Sequence, residues 1–188
     1  MSVLLVDHND SFTYNIAHLI ASCGYKTDIF PYGPGLLERA RGYKKVVLSP
    51  GPGVPENYPF SLQLLGQNTP GQDIFGICLG MQCLAVYAGA TLFRQPNVRH
   101  GEEEIIHNYK VENSVMHHLD EEFNAALYHS WAVEASSLPD SLKVTAATSQ
   151  GVIMGLMHRA QSIEAVQFHP ESFLCLVGKQ IMESWLSK

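Results

Sequence analysis

Charge is scarce in this sequence. Only 16% of its 188 residues are Asp, Glu, Lys or Arg, against roughly 25% in ordinary soluble domains, while 46% are hydrophobic. A fold of this composition exposes weakly polar surface, and a face that meets a partner is one explanation. Basic residues are the scarcer sign: 12 Lys+Arg against 18 Asp+Glu leave a net charge of −6. Without a Lys/Arg cluster, the balance argues against nucleic acid or an anionic membrane as the main ligand. No apolar run approaches the roughly 18 residues of a membrane span. The opening run Met1-Ser2-Val3-Leu4-Leu5-Val6-Asp7 lacks a basic start and meets a charge too early for a signal peptide. It reads as a first strand, in a cytoplasmic protein. Cysteine is also sparse: the four at positions 23, 78, 83 and 175 show no C-x-x-C spacing, which points to a reducing compartment and away from a disulfide framework or a zinc site. Repeats, low-complexity tracts and linkers are missing too, so residues 1–188 read as one domain.

What is present is an alternation of strand-like and helix-like segments. Val3 to Val6, Thr27 to Phe30, Lys45 to Leu48 and Asp73 to Ile77 read as buried strands. Between them, Ile16, Leu19, Ile20 and Cys23 fall on one face of a helix that Asp10 or Ser11 could cap. Met81, Leu84, Ala85 and Ala88 form a second helical stripe directly after the fourth strand. Such alternation predicts an open, mostly parallel twisted sheet with helices on both faces. From about Thr91 the pattern becomes strand after strand: Ile105 to Val111, Ala126 to Tyr128, Leu142 to Thr148, Ile153 to His158 and Ile163 to Phe168. These are antiparallel additions, the last two a hairpin, and a closing helix carries Leu174, Val177, Ile181 and Trp185. In such α/β folds ligands sit at the carboxyl ends of the parallel strands, which directs attention to the segments after Leu48 and Ile77.

The second of these is Gly76-Ile77-Cys78-Leu79-Gly80, a nucleophile elbow with Cys in place of Ser. A sharp strand-to-helix turn leaves no room for side chains at the flanking glycines, and it places the thiol at a helix N-terminus, where unpaired N–H groups favour a thiolate. Cys23, Cys83 and Cys175 lie in or beside apolar stripes without flanking glycines and read as packing residues. A thiolate nucleophile needs a base. His169, in Gln167-Phe168-His169-Pro170-Glu171-Ser172, has a carboxylate two residues on. Residues i and i+2 of an extended stretch share a side, so Glu171 can orient the ring while its other nitrogen serves Cys78. His129, in Tyr128-His129-Ser130-Trp131, is the second choice as base, since no carboxylate follows it closely. His117-His118 lacks further ligands at a metal spacing, and no metal or cofactor is expected. Gly51-Pro52-Gly53 after the third strand could supply backbone donors to an oxyanion, although Gly33-Pro34-Gly35 repeats the tripeptide elsewhere. Neither copy is followed by the Lys-Ser/Thr of a phosphate loop.

Taken in order, Leu48-Ser49-Pro50-Gly51-Pro52-Gly53, Gly76-Ile77-Cys78-Leu79-Gly80-Met81-Gln82 and the His169 segment resemble a class I (Cys-His-Glu) glutamine amidotransferase over essentially the whole chain. Asp7-His8-Asn9-Asp10-Ser11-Phe12-Thr13-Tyr14-Asn15 and Tyr128-His129-Ser130-Trp131 narrow the resemblance to the small subunits of anthranilate and aminodeoxychorismate synthases. The resemblance implies that Cys78 attacks the side-chain amide of glutamine, that His169 moves protons and that Glu171 orients it. It implies an oxyanion hole from the backbone of Gly51 and Leu79. Substrate would be held by Gln82 and by the backbone around Gly51, Pro52, Gly53, Ser130 and Trp131. Ammonia would pass to a chorismate-binding partner subunit making anthranilate, aminodeoxychorismate or both.

Two positions depart from the family pattern. Met81 stands where many relatives carry His, and Glu102-Glu103-Glu104 follows His100-Gly101 where a basic residue is expected. The rival readings are the same chemistry for a nucleotide acceptor, a thiol hydrolase of other amides, and a catalytically silent module on the same fold.

Overall fold

The computed structural model describes residues 2–96 and 101–188; His100 lies outside the described residues. A nine-stranded sheet runs through the molecule. Its parallel part is built from β1 (Ser2–Asp7), β2 (Lys26–Pro31), β3 (Lys45–Leu48), β4 (Asp73–Ile77) and β11 (Ile163–Val166), in the order β2-β1-β3-β4-β11. Beyond β11 follow β10 (Ile153–His158), β9 (Leu142–Thr148), β6 (Glu102–Asn108) and β7 (Glu122–Leu127), each antiparallel to its neighbour. The expected mostly parallel sheet with antiparallel strands added in the second half is the one observed, with one correction: the last strand, β11, expected as an antiparallel addition, is antiparallel to β10 but inserts parallel beside β4. A separate two-stranded ribbon of β5 (Leu92–Arg94) and β8 (Trp131–Val133), unannounced by any long apolar run, carries the Ser130-Trp131 segment.

Period-two alternation explains the layering. Val3, Leu5, Val47, Phe75, Ile77 and Val166 face one core, together with Ile16 and Ile20 of α1 (Thr13–Ser22) and Ile181 and Trp185 of α5 (Gly178–Leu186). Leu4, Val6, Val46, Leu48, Ile74 and Ala165 face the other. They pack there with Leu36 of α2 (Leu36–Ala40), Leu64 and Leu65 of α3 (Pro59–Gly66), and Leu79, Met81 and Leu84 of α4 (Leu79–Tyr87). Helices thus cover both faces, which is why these parallel strands read as continuous apolar runs.

Several element boundaries differ from expectation. The strand expected at Ile105 to Val111 is β6, which starts at Glu102: its exposed acidic residues pair with β7 rather than forming a loop. The closing helix begins at Gly178, so Leu174 and Val177 precede it. Phe12 occupies the cap position of α1, while Asp10 accepts a bond from Phe12 N one step before the helix. Sheet order reverses between β1 and β3, and the ends of β1, β3 and β4 converge there.

Candidate functional site

Cys78 links β4 to α4 with φ 53° and ψ −101°, a conformation costly for a residue with a side chain. Its surroundings enforce it. A Cβ on Gly76 would lie 2.6 Å from the Gly80 backbone, and one on Gly80 would lie 2.6 Å from the Leu48 carbonyl oxygen. The two flanking glycines therefore let helix α4 close onto β3 and β4. The Cys78 carbonyl accepts from Met81 N and Gln82 N at 3.0 and 3.1 Å, opening the helix directly behind the thiol.

Register brings the base segment alongside. Ile77 pairs with Val166 in the parallel β4–β11 ladder, and Cys78 N donates to Val166 O at 2.8 Å. Two residues beyond the adjacent Gln167, His169 is buried, and its Nδ1 lies 2.7 Å from Oε1 of an equally buried Glu171. Burial alone would lower the pKa of the ring. Hydrogen bonding and charge from Cys78 and Glu171 outweigh burial and push it up to about 10. Phe12 and Tyr128 hold the ring edge-on, with centroids 5.1 and 4.8 Å away.

The oxyanion candidates are also adjacent. A Cβ on Gly51 would lie 2.7 Å from Leu79 Cδ2 and 2.6 Å from His8 Cβ, so only glycine allows the Ser49–Gly53 loop to lie against the elbow. Under this loop, His8 is fully buried, its Nδ1 3.1 Å from Ser49 Oγ and its Nε2 2.8 Å from Ser61 Oγ, and it packs on Tyr32 and Tyr58. Burial lowers its pKa to about 4, against smaller raising effects of Ser49 and Asp7, so the ring is a neutral strut. Gly53 adopts φ +80°, and the Pro52 carbonyl accepts from the Tyr58 hydroxyl at 2.8 Å. The other copy of the tripeptide serves differently: Gly35, at φ 93°, caps α2.

Gln82 is buried on the first turn of α4, and its Nε2 donates to the Trp131 carbonyl at 3.1 Å and to Gln167 Oε1 at 3.3 Å. His129 Nδ1 also lies 2.8 Å from the Trp131 carbonyl and 2.9 Å from the Gln95 amide, while Gln95 N donates to the Ser130 carbonyl. His129 is thus built into the wall of the site, and both carbonyls of the predicted Ser130-Trp131 contact already accept bonds from the protein. Met81 points into the core, as its place on the apolar stripe predicts.

The remaining thiols behave as packing residues. Burial pushes Cys83 up strongly and Cys175 up to about 12, and Cys23 is raised chiefly by burial. Among the described residues no cluster of His, Cys, Asp and Glu could hold a metal, and no helix is long and apolar enough to cross a membrane. A cleft of about 640 Å³ opens at the other end of β11, beside His117, His158, Glu164 and Lys188, away from Cys78. Sequence reasoning left three site residues without a role: His8, Phe12 and Gln167. The first two lay in the quoted Asp7–Asn15 segment and the third beside His169, so the motifs themselves were the available signal.

A strained thiol at a helix start, a carboxylate-bound histidine in register with it and a glycine loop against the elbow coincide with a match to the description "Glutamine amidotransferase class-I" over residues 4–188. The chain belongs to this family. The anthranilate synthase component 2 of Mycobacterium tuberculosis is 36% identical over 195 residues, covering 100% of this chain and 82% of that protein. That of Cyanophora paradoxa is 34% identical and covers 98% of each. In fold, this amidotransferase superposes on a glutamine amidotransferase from Thermotoga maritima with TM-score 0.78 at 19% identity, covering 100% of this chain and 96% of that one.

Proposed function

We propose that this chain is the glutaminase subunit of a chorismate-using synthase, the component II of an anthranilate synthase. The observation that carries the reading is Cys78 on its strained turn, tied through its N–H to Val166, three residues ahead of a His169 already bonded to Glu171. Cys78 Sγ attacks the side-chain carbonyl carbon of glutamine as a thiolate, its proton held on His169. The carbonyl oxygen takes up negative charge and is met by the backbone N–H groups of Gly51 and Leu79. His169 gives its proton to the amide nitrogen, the C–N bond breaks, and ammonia leaves a thioester on Cys78. Water then attacks the thioester, losing a proton to His169, and glutamate departs as the sulfur recovers. Gln82 and the backbone of Gly51, Pro52, Gly53, Ser130 and Trp131 form the walls for the amino-acid end of the substrate. Because the Ser130 and Trp131 carbonyls are already bonded, their contribution falls to N–H groups and side chains. No step calls for a cofactor or a metal.

Ammonia released into neutral water becomes ammonium and loses its nucleophilic lone pair, so the product favours a partner that accepts it directly. The component 2 names of the relatives support a chorismate-binding synthase subunit as that partner. The surface supports it too. Tyr14 of α1, Phe173 and Leu176 are 73%, 84% and 88% exposed, and the last two lie within one short segment after Glu171. Such exposed apolar side chains around an active site suit a protein contact, in keeping with the low charge of the chain. Supplying the co-purified complex with chorismate and glutamine tests the reading. Anthranilate as product supports it, aminodeoxychorismate moves the same chemistry to folate biosynthesis, and glutamine left intact overturns it.

A further inference from the structure

Gln167 is fully buried, and the parallel register of β4 and β11 sets it beside the nucleophile. Its Nε2 lies 3.4 Å from Cys78 Sγ. Its Oε1 accepts from Gln82 Nε2 at 3.3 Å, and the same Gln82 nitrogen donates to the Trp131 carbonyl at 3.1 Å. The direction of this chain of bonds is fixed from the Trp131 end. Only an amide nitrogen can serve two acceptors, so Gln82 must turn its NH₂ inward, and Gln167 must then offer its oxygen to Gln82 and its nitrogen to sulfur. A flipped Gln167 would oppose N–H to N–H at Gln82 and, once the sulfur is a thiolate, oxygen to negative sulfur.

We propose that Gln167 is the hydrogen-bond donor that holds Cys78 Sγ as a thiolate, and that through Gln82 it ties the nucleophile to the wall that receives the substrate's amino-acid end. The identity of that substrate rests on the glutaminase reading; the bond to sulfur does not. A donor to a charged acceptor in a water-poor site contributes more than one to a neutral group. His169, backed by Glu171, is the titratable group acting on the sulfur, and its positive charge disappears when its proton goes to the leaving nitrogen. The Gln167 amide does not titrate. It therefore stays in place when the thiolate is expelled from the second tetrahedral intermediate and His169 is busy with the proton from water.

The test is the rate of Cys78 alkylation by iodoacetamide across pH, located by peptide mapping, in the native protein, Gln167→Met and Gln167→Glu. Met keeps the length and removes the donor; Glu keeps the shape and points a carboxylate oxygen at sulfur. The expected result for Gln167→Met is about tenfold slower alkylation at neutral pH and a profile displaced upward by about one pH unit. Its kcat for glutamine should fall roughly tenfold to a hundredfold, with KM within about threefold because Gln82 keeps its bond to Trp131. Gln167→Glu should displace the profile further in the same direction, and either folded variant suffices. A profile identical to that of the native protein overturns the proposal. Alkylation needs no turnover, so a displaced profile in a protein inert toward glutamine would overturn the substrate reading and leave the donor standing.

Discussion

At the scale of single residues, two buried histidines beyond the ends of β1 and β11 carry different charge states, and their surroundings explain both. His8 meets only hydroxyls and rings; His169 meets a carboxylate and a thiol. For His8 the folded value of about 4 lies below the ordinary 6.5. Below pH 6.5 the unfolded chain gains a proton that the folded one refuses, so stability present above pH 6.5 is lost as pH falls toward 4, by roughly 3 kcal/mol at most. Urea midpoints at pH 7 and pH 5 should show a smaller drop for His8→Asn than for the native protein. His169 runs the other way. Its contribution is fully present below pH 6.5 and is lost as pH rises toward 10, and NMR of its ring should show an imidazolium well above neutrality. In activity, His169→Asn should cost about two to four powers of ten in glutamate release and Glu171→Gln less; His129→Asn should keep most of the rate. Cys78, His169 and Glu171 could be singled out as candidates in the sequence because glycines flank the thiol and a carboxylate follows the histidine at i+2. His8, Phe12 and Gln167 were not, because the contacts that place them at the site are distant in sequence: His8 to Ser49 across 41 positions, Gln167 to Cys78 across 89, and Phe12 to His169.

Among the elements, the elbow depends on close backbone approach. Gly80→Ala drives a Cβ to within 2.6 Å of the Leu48 carbonyl oxygen, and neither β3 nor α4 can yield without disturbing both. A loss of about 1–3 kcal/mol is expected, the scale of overpacking, together with reduced glutamate release. Gly33→Ala, where an added Cβ meets nothing within 4 Å, is the control that should melt with the native protein. The central strands were legible because residues buried on both faces leave uninterrupted apolar runs. Shorter or more polar elements were not. Helix α2 has five residues and carries Glu38 and Arg39, and strands β5 and β8 have three residues each. β6 opens with three glutamates that edge pairing accommodates and hydropathy does not reveal.

For the molecule as a whole, the central claim is a division of labour: this chain makes ammonia and another uses it. Exposed Phe173 and Leu176 should lie in the contact between them. Leu176→Asp should weaken association by about tenfold or more, as loss of a well-packed apolar anchor does, while leaving the circular dichroism spectrum of the isolated chain unchanged. Activation of glutamate release by the partner would show that docking favours a competent arrangement of the elbow and loop, and reciprocity then requires glutamine to tighten docking. The most direct measurement is product formation by the complex carrying Cys78→Ser, supplied in turn with glutamine and with ammonium salt. Glutamine-dependent synthesis abolished while the ammonium-supported reaction stays close to native is the predicted result. Glutamine-dependent synthesis that survives the loss of the thiol, or an ammonium reaction lost along with it in a well-folded complex, would contradict the account.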